Sequence, residues 1–426
     1  MLQQSISPTK NRWLIALSAV GIHISIGSVY SWSVFTKPLQ EQFGWTLNEL
    51  SLTFSLAIVF LGLSAAFMGR WVEQQGPRKS ATLAAILFGT GLIGAGVAVL
   101  LKSLPLLYLM YGVIGGMGLG IGYISPVSTL VKWFPDRRGQ ATGLAIMGFG
   151  FASVIAGPLI ARLITGIGLA GTFFLLGTVY VTIMLIAASY LALPPNGWVP
   201  TNSKADHEAN RLPKPDLEYL TANQAIRTRR FYFLWVILFI NITSGIAIIA
   251  VASPMAQELT GMTSLAAASM VGIMGLFNGF GRIGWASFSD NIGRPVTYIL
   301  FFVIELLCFF FLPRATHPLV FQALVFLILT CYGGGFACVP AYIGDLFGTK
   351  QLAAIHGYIL TAWAAAGYVG PTLVSWVRES TQSYEQTLII FDSFFVVALL
   401  VALLLRHEIS RVRNQQAALL VPVAEK

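Results

Sequence analysis

MVGIMGLFNGFGRIGW, residues Met270–Trp285, is apolar throughout except for Asn278 and Arg282. Those two stand four residues apart and so share one helix face. The apolar run ends at the polar turn SDNIGRP (Ser289–Pro295), with Asp290 eight residues beyond Arg282. At about 1.5 Å per residue the guanidinium stands about 12 Å inside an apolar layer roughly 30 Å thick. A charge at that depth costs about 2.5–3.5 kcal/mol even on the mildest insertion scale, so it must face inward and have a partner. A carboxylate suits it best, because the planar fork of donors matches two carboxylate oxygens. Two sources stay open: an internal acid such as Glu305 on the next apolar run, making Arg282 a strut, or a carboxylate substrate.

The rest of the chain agrees with a layer of that kind. Of 426 residues, 56% are hydrophobic and only 10% charged, and the mean hydropathy is +0.75. That composition excludes a soluble fold and indicates an all-α protein crossing a lipid bilayer many times. Apolar runs of spanning length fall at 13–35, 46–68, 80–101, 105–130, 141–165, 171–193, 231–256, 264–287, 296–312, 318–344, 352–376 and 386–406. Twelve transmembrane helices are expected. The first run is too long for a signal-peptide core and is read as an uncleaved helix.

Of the 26 Lys and Arg residues, twenty fall in segments that alternate to the same side as the N-terminus, among them Arg70, Arg78, Lys132, Arg138, Arg294 and Lys350. Five fall in the opposite loops, and Arg282 lies within a run. This bias places both termini in the cytoplasm of a cell or inner membrane. The net charge of +9 is then topological, and no nucleic-acid partner is expected. The three cysteines show no CxxC or metal spacing, so buried thiols are expected, with no metal and no cofactor. No nucleophile–base cluster appears, which argues against an enzyme.

Half the chain length, 213, is also a repeat. Phe134 answers Phe347, Gly157-Pro158 answers Gly370-Pro371, and Tyr123 answers Phe336, each at that separation. The turn EQQG (Glu73–Gly76) answers DNIG (Asp290–Gly293) at 217. Two six-helix halves in the same orientation are therefore expected, with a site between them near the mid-plane. The divisions are a first half 1–193, a linker 194–230 bearing a surface helix, a second half 231–410, and a cytoplasmic tail 411–426. A receptor would need an appended soluble domain, for which these loops and tails are too short.

Several residues inside the runs call for a role. His23 is the one ionisable group of the first, and reads as a bonded neutral imidazole or a proton carrier. Glu305 and Asp392 are the other intramembrane acids, and Glu305 is a second candidate for proton coupling. Tyr123 ends a glycine-rich strip, where its hydroxyl needs a partner. Tyr332 and Phe336 share a face, and Trp363 lies mid-run among small residues, away from the interface tryptophan favours. The turns bearing Glu73, Arg78, Asp136, Arg138, Asp290 and Arg294 read as latches, where acids cap helix N-termini and cations meet C-termini.

Together with GSVYSWSVF (Gly27–Phe35), KWFPDRRG (Lys132–Gly139), RTRRFYFLW (Arg227–Trp235), GDLFGTK (Gly344–Lys350) and the initial NRW (Asn11–Trp13), these features resemble the major facilitator superfamily. Within it the chain looks like the oxalate/formate antiporter family, which is related to the monocarboxylate transporters. The likeness runs over nearly the whole chain. It implies that Arg282, with Asn278 beside it, binds a substrate carboxylate, and that Tyr30, Tyr123, Phe149, Tyr332 and Phe336 line the cavity. It departs at two places. The oxalate exchanger's lysine in the eleventh span is Trp363 here, and the aspartate common in monocarboxylate transporters is Asn278.

Arg282 is the one Lys or Arg assigned to a run's interior, and a single fixed charge compensates a single substrate charge. A dianion would leave several kcal/mol of uncompensated charge. The expected function is therefore secondary transport of a small monocarboxylate such as lactate, pyruvate or formate by alternating access, as anion exchange or proton-linked symport. Oxalate:formate antiport and export of lipophilic drugs are the alternatives within the same fold.

Overall fold

The structure is a computed structural model that describes residues 10–195, 198 and 216–420. Those residues are helical almost throughout, and no strand occurs among them. Two apolar helices cover 48–100 and 138–190, 53 residues each. Unbroken, each would measure about 80 Å, more than twice the apolar layer. Each is in fact two helices joined at a glycine, Gly76 (φ 79°, ψ 170°) and Gly168 (φ 75°, ψ 174°). A side chain at that backbone geometry would be strained, and glycine is not.

Divided there, the described chain forms twelve long helices: α1 (12–43, tightened at Ser28–Ser31), α2 (47–75), α3 (77–100), α4 (104–133), α5 (138–167) and α6 (169–190). After the linker come α7 (Arg229–Thr260), α8 (Ser264–Ile292), α9 (Arg294–Phe311), α10 (Pro318–Phe347), α11 (352–381) and α12 (Tyr384–Leu420). Starts are set by side chains that take up free amide groups. Thr46 caps α2 reciprocally with Glu49, Thr228 caps α7, and Thr263 caps α8, as expected for this residue type.

The twelve apolar runs map one to one onto these helices. The largest differences are at the ends, where α1 continues to Phe43 and α12 to Leu420, the latter past the tail boundary expected at 410. Charged residues end an apolar signal without ending a helix. The expected linker helix shrinks to one turn, Ala222–Ala225. Just before it the Leu217 amide donates to the Asp345 carbonyl (2.8 Å) and the Leu220 amide to that of Phe347 (3.0 Å). Pairing with the end of α10 replaces helical pairing. Most of 194–215 and all of 421–426 lie outside the described residues.

The first six helices meet the last six along two seams, α5 on α8 and α2 on α11. At both seams glycine permits the approach: a β-carbon on Gly143 would stand 2.7 Å from the Arg282 carbonyl oxygen, and one on Gly69 2.6 Å from Ala354 Cα. Close helix approach through small residues is how apolar bundles gain packing when lipid supplies no hydrophobic drive.

Candidate functional site

Arg282 sits on α8 where that helix crosses α5, and it is 0% exposed. Its Nε donates to Asn278 Oδ1 one turn earlier (3.2 Å). Its Nη1 donates to the Ile146 carbonyl on α5, across the seam (3.4 Å). Nη2 has no hydrogen-bond partner among the described residues. The guanidinium carbon lies 5.2 Å from the Phe336 ring centre and 5.7 Å from that of Phe149, so its faces are covered by aromatic rings.

No carboxylate meets it among the described residues. Glu305, weighed as its internal partner, instead accepts from Asn241 Nδ2 (3.2 and 3.5 Å) and is itself fully buried between α9 and α7. The strut reading of Arg282 is thereby corrected. Asn241 arrives from α7 at just the radius where the α9 acid would otherwise be alone.

The aromatic residues named from sequence converge on this guanidinium from five helices. Tyr30 (α1) meets Phe149 (α5) edge-on at 5.0 Å. Tyr123 (α4) lies 5.8 Å from Phe149 and 5.5 Å from Trp363 (α11). Trp363 in turn lies 4.7 Å from Phe336, which lies 5.4 Å from Tyr332, both on α10. The hydroxyls of Tyr30, Tyr123 and Tyr332 and the Trp363 indole Nε1 are buried without a well-formed hydrogen bond among the described residues, although the Tyr30 hydroxyl approaches Arg282 and Tyr332. Each such group forfeits about 1–3 kcal/mol unless something else supplies the bond. An inward-facing set of unmet donors around a cation is the donor pattern that fits a small oxyanion.

His23 (α1) joins the cluster with its ring 5.3 Å from Tyr123. Its Nδ1 bonds the Ala19 carbonyl at 2.8 Å, while Nε2 has no bond. A residue not singled out from sequence completes it: His356 on α11, 5.8 Å from Tyr123, with both ring nitrogens unbonded. The signal that picked out His23, one imidazole in an apolar run, was equally present in HGYILTAW (His356–Trp363).

At the end of the bundle where the linker lies, polar groups are paired instead. Asp290 ends α8 and accepts from the Gly139 (2.9 Å) and Gln140 (2.8 Å) amides at the start of α5, while bound to Arg294 at 2.5 Å. Glu73 ends α2 and accepts from the Ala353 amide at the start of α11 (2.6 Å) and from Lys132 (2.6 Å). Glu73 and Asp290 occupy repeat-related turns, and each carboxylate caps a helix of the opposite half. Arg138 joins Asp216 (2.5 Å) and Asp345 (3.0 Å), and Asp345 also meets Arg294 (3.3 Å).

Two latch expectations are corrected. Arg78 is exposed and enters none of these bonds; Lys132 is the cation on Glu73. Asp136 holds Arg12 (2.9 Å) and Arg137 (3.0 Å), tying α1 to the α4–α5 turn within one half. Lys132, Asp216 and Asp345 were not among the expected latch residues. An acid near a turn could have suggested Asp345, but only the folded chain brings the linker's Asp216 to Arg138.

A family profile for the Major Facilitator Superfamily matches residues 17–371. The chain belongs to that superfamily. Among curated superfamily relatives it is similar to the oxalate:formate antiporter of Oxalobacter formigenes, 28% identical over 86% of this chain and 85% of that one. It is similar at 23% identity to apicoplast pyruvate carrier 1 of Toxoplasma gondii, over 85% and 83%. Monocarboxylate transporter 12 of Xenopus laevis is 25% identical over 80% and 76%. Its backbone also resembles the superfamily transporter FucP in the outward conformation (TM-score 0.71, 13% identity, 92% and 98% covered). The human organic anion transporter MFSD10 gives 0.72 at 12% identity, over 92% and 99%. At those identities the structural likeness speaks to fold alone.

Proposed function

We propose that this superfamily transporter carries small organic carboxylates, monocarboxylates such as lactate, pyruvate and formate foremost, with Arg282 as the carboxylate ligand. The observation that carries the reading is a fully buried guanidinium with a free Nη2, no acid upon it, and unmet tyrosine and indole donors around it. Asn278 orients the arginine through Nε. Tyr30, Tyr123, Tyr332 and Trp363 complete the anion's hydrogen bonds, and the faces of Phe149 and Phe336 take a short apolar tail. With Trp363 where, by the resemblance, the oxalate exchanger carries a lysine, one site charge offsets one substrate charge, which disfavours a dianion.

The halves 1–193 and 231–410 rock about this layer, joined by the linker 194–230. Glu73 and Asp290, with Arg294 and Arg138, hold the linker end shut while the opposite end admits substrate. The excess of basic residues at the linker end puts that end, and both termini, in the cytoplasm. A lipophilic-drug exporter of the same fold would have no need of the lone guanidinium.

Proteoliposomes loaded with unlabelled lactate and given labelled lactate, formate or oxalate outside test the reading. Saturable monocarboxylate uptake that disappears in Arg282→Ala and survives in Arg78→Ala is expected. Uptake preserved in Arg282→Ala would remove the assignment of that residue.

A further inference from the structure

We propose that His356, supported by His23 across the Tyr123 ring, is the proton-binding site of this transporter, occupied together with the carboxylate at Arg282. The inference rests on the carboxylate reading above and adds the co-transported ion and the residue that carries it.

His23 lies seven residues before Tyr30 on α1, and His356 seven before Trp363 on α11. At about 1.5 Å per residue both stand about 10 Å along the bundle from the Arg282 layer, toward the linker end. They form a second polar layer, and the Tyr123 ring joins the two layers, 5.3 Å from His23, 5.8 Å from His356 and 5.5 Å from Trp363.

His356 rather than His23 is the carrier because of its bonds. His23 spends Nδ1 on the Ala19 carbonyl, which fixes its ring. Both nitrogens of His356 are buried and unbonded among the described residues. A packing histidine in a dry bundle normally bonds at least one nitrogen.

The charged and titratable groups on the surrounding helices set the coupling. α1 brings His23, α4 brings Tyr123 and, at its end, Lys132, and α8 brings Arg282. α10 brings Tyr332, and α7 approaches through the bond from Trp235 to Thr361. The described acids at this end of the bundle are committed: Glu73 of α2 to Lys132 and the Ala353 amide, Asp216 to Arg138, Asp345 to Arg138 and Arg294, and Asp290 to Arg294 and the start of α5. A proton on His356 is therefore a second positive charge near Arg282 with no acid assigned to it. An anion bound at Arg282 cancels the guanidinium's repulsion of that proton, so the carboxylate raises proton affinity and the proton raises carboxylate affinity by the same factor. The loaded carrier holds Arg282, one carboxylate and one proton, and both ligands leave together on the other side.

The test uses full-length protein in proteoliposomes containing a trapped pH indicator. Labelled lactate is presented with an inward proton gradient and no internal substrate. In the wild type, lactate entry and internal acidification should rise together. His356→Gln should lose acidification and net uptake by about tenfold or more, and the lactate–lactate exchange that remains should lose its dependence on pH. His23→Gln should show a smaller loss of the same kind. Net uptake in the wild type without acidification would overturn the proton role and leave Arg282 untouched. So would acidification unchanged in both variants. Loss of exchange in correctly folded His356→Gln, judged by an unchanged melting temperature, would move His356 from proton binding to anion binding. Loss of all exchange in Arg282→Ala, with these outcomes, separates failure of this inference from failure of the carboxylate reading.

Discussion

Four arginines among the described residues are 8% exposed or less, and they are not equivalent; one of them, Arg230, at 5%, meets Glu218. Arg138 and Arg294, at 8% and 5% exposed, each meet two carboxylates at the linker end. Arg282, at 0%, meets none. A buried ion pair with its bonds complete stabilises one arrangement of the helices, and breaking it by removing one partner is costly. A buried cation with a free donor contributes little to one arrangement and keeps bonding capacity for a ligand. On the proposed reading, the paired region holds a conformation and the unpaired region binds.

The sharpest way to break the contrast is to neutralise each kind in turn. Arg282→Ala should lower saturable carboxylate uptake by about a hundredfold or more while lowering the melting temperature less than a latch variant does, because no acid is left alone. Uptake kinetics and thermal unfolding measured on one preparation check both halves of that statement. A drop in stability as large as that of a latch variant would put Arg282 with the struts.

Asp290→Asn should do the reverse. It strips Arg294 of one partner and weakens the cap on α5, which costs about 2–3 kcal/mol at the linker end. Exchange of the Gly139 and Gln140 amides with deuterium should then accelerate about tenfold to a hundredfold, with Glu73→Gln doing the same for Ala353. Unchanged protection at those amides would mean that the caps seen here do not hold the end closed.

Within the binding layer, Tyr332→Phe and Tyr30→Phe should each raise KM about five- to tenfold while the maximal rate stays within about twofold, since each removes one donor to the bound anion. Initial-rate uptake across a concentration series reads this directly. Equal KM values would assign those hydroxyls to water instead.

The smallest effect concerns the linker. Burial raises the Asp216 carboxyl above its ordinary 3.8; the Arg138 guanidinium opposes this and Asp345 adds to it. The docked linker therefore binds a proton more tightly than the released one. Docking should strengthen as pH falls through the raised value toward 3.8 and weaken as pH rises. Protection of the Leu217 and Leu220 amides, corrected for intrinsic exchange, should follow that trend and become flatter in Asp216→Asn. A trend of opposite sign would show that Arg138 dominates.

How much of this was legible beforehand depends on the kind of interaction. Apolar length is a local property, so all twelve helices could be read, with errors where α1 and α12 outlast the apolar layer. Arg282 stood out because a charge in an apolar run is conspicuous in one dimension. The repeat made Glu73 and Asp290 readable as a pair. Lys132, Asp216 and Asp345 were missed as latch residues because ordinary charges near turns carry no mark of whom they will meet. His356 was overlooked although its pattern matched that of His23.

What the order of residues determined alone was the number of crossings, their two-fold repetition and the presence of one expensive charge, since each follows from the transfer cost of a side chain into an apolar layer. Whether Glu305 neutralised that charge was decided only by folding. Helices α7 and α9 put Asn241 on the acid, while α5, α8 and α10 closed aromatic faces over the arginine. Pairing is a matter of distance in three dimensions, and hydropathy has no term for it.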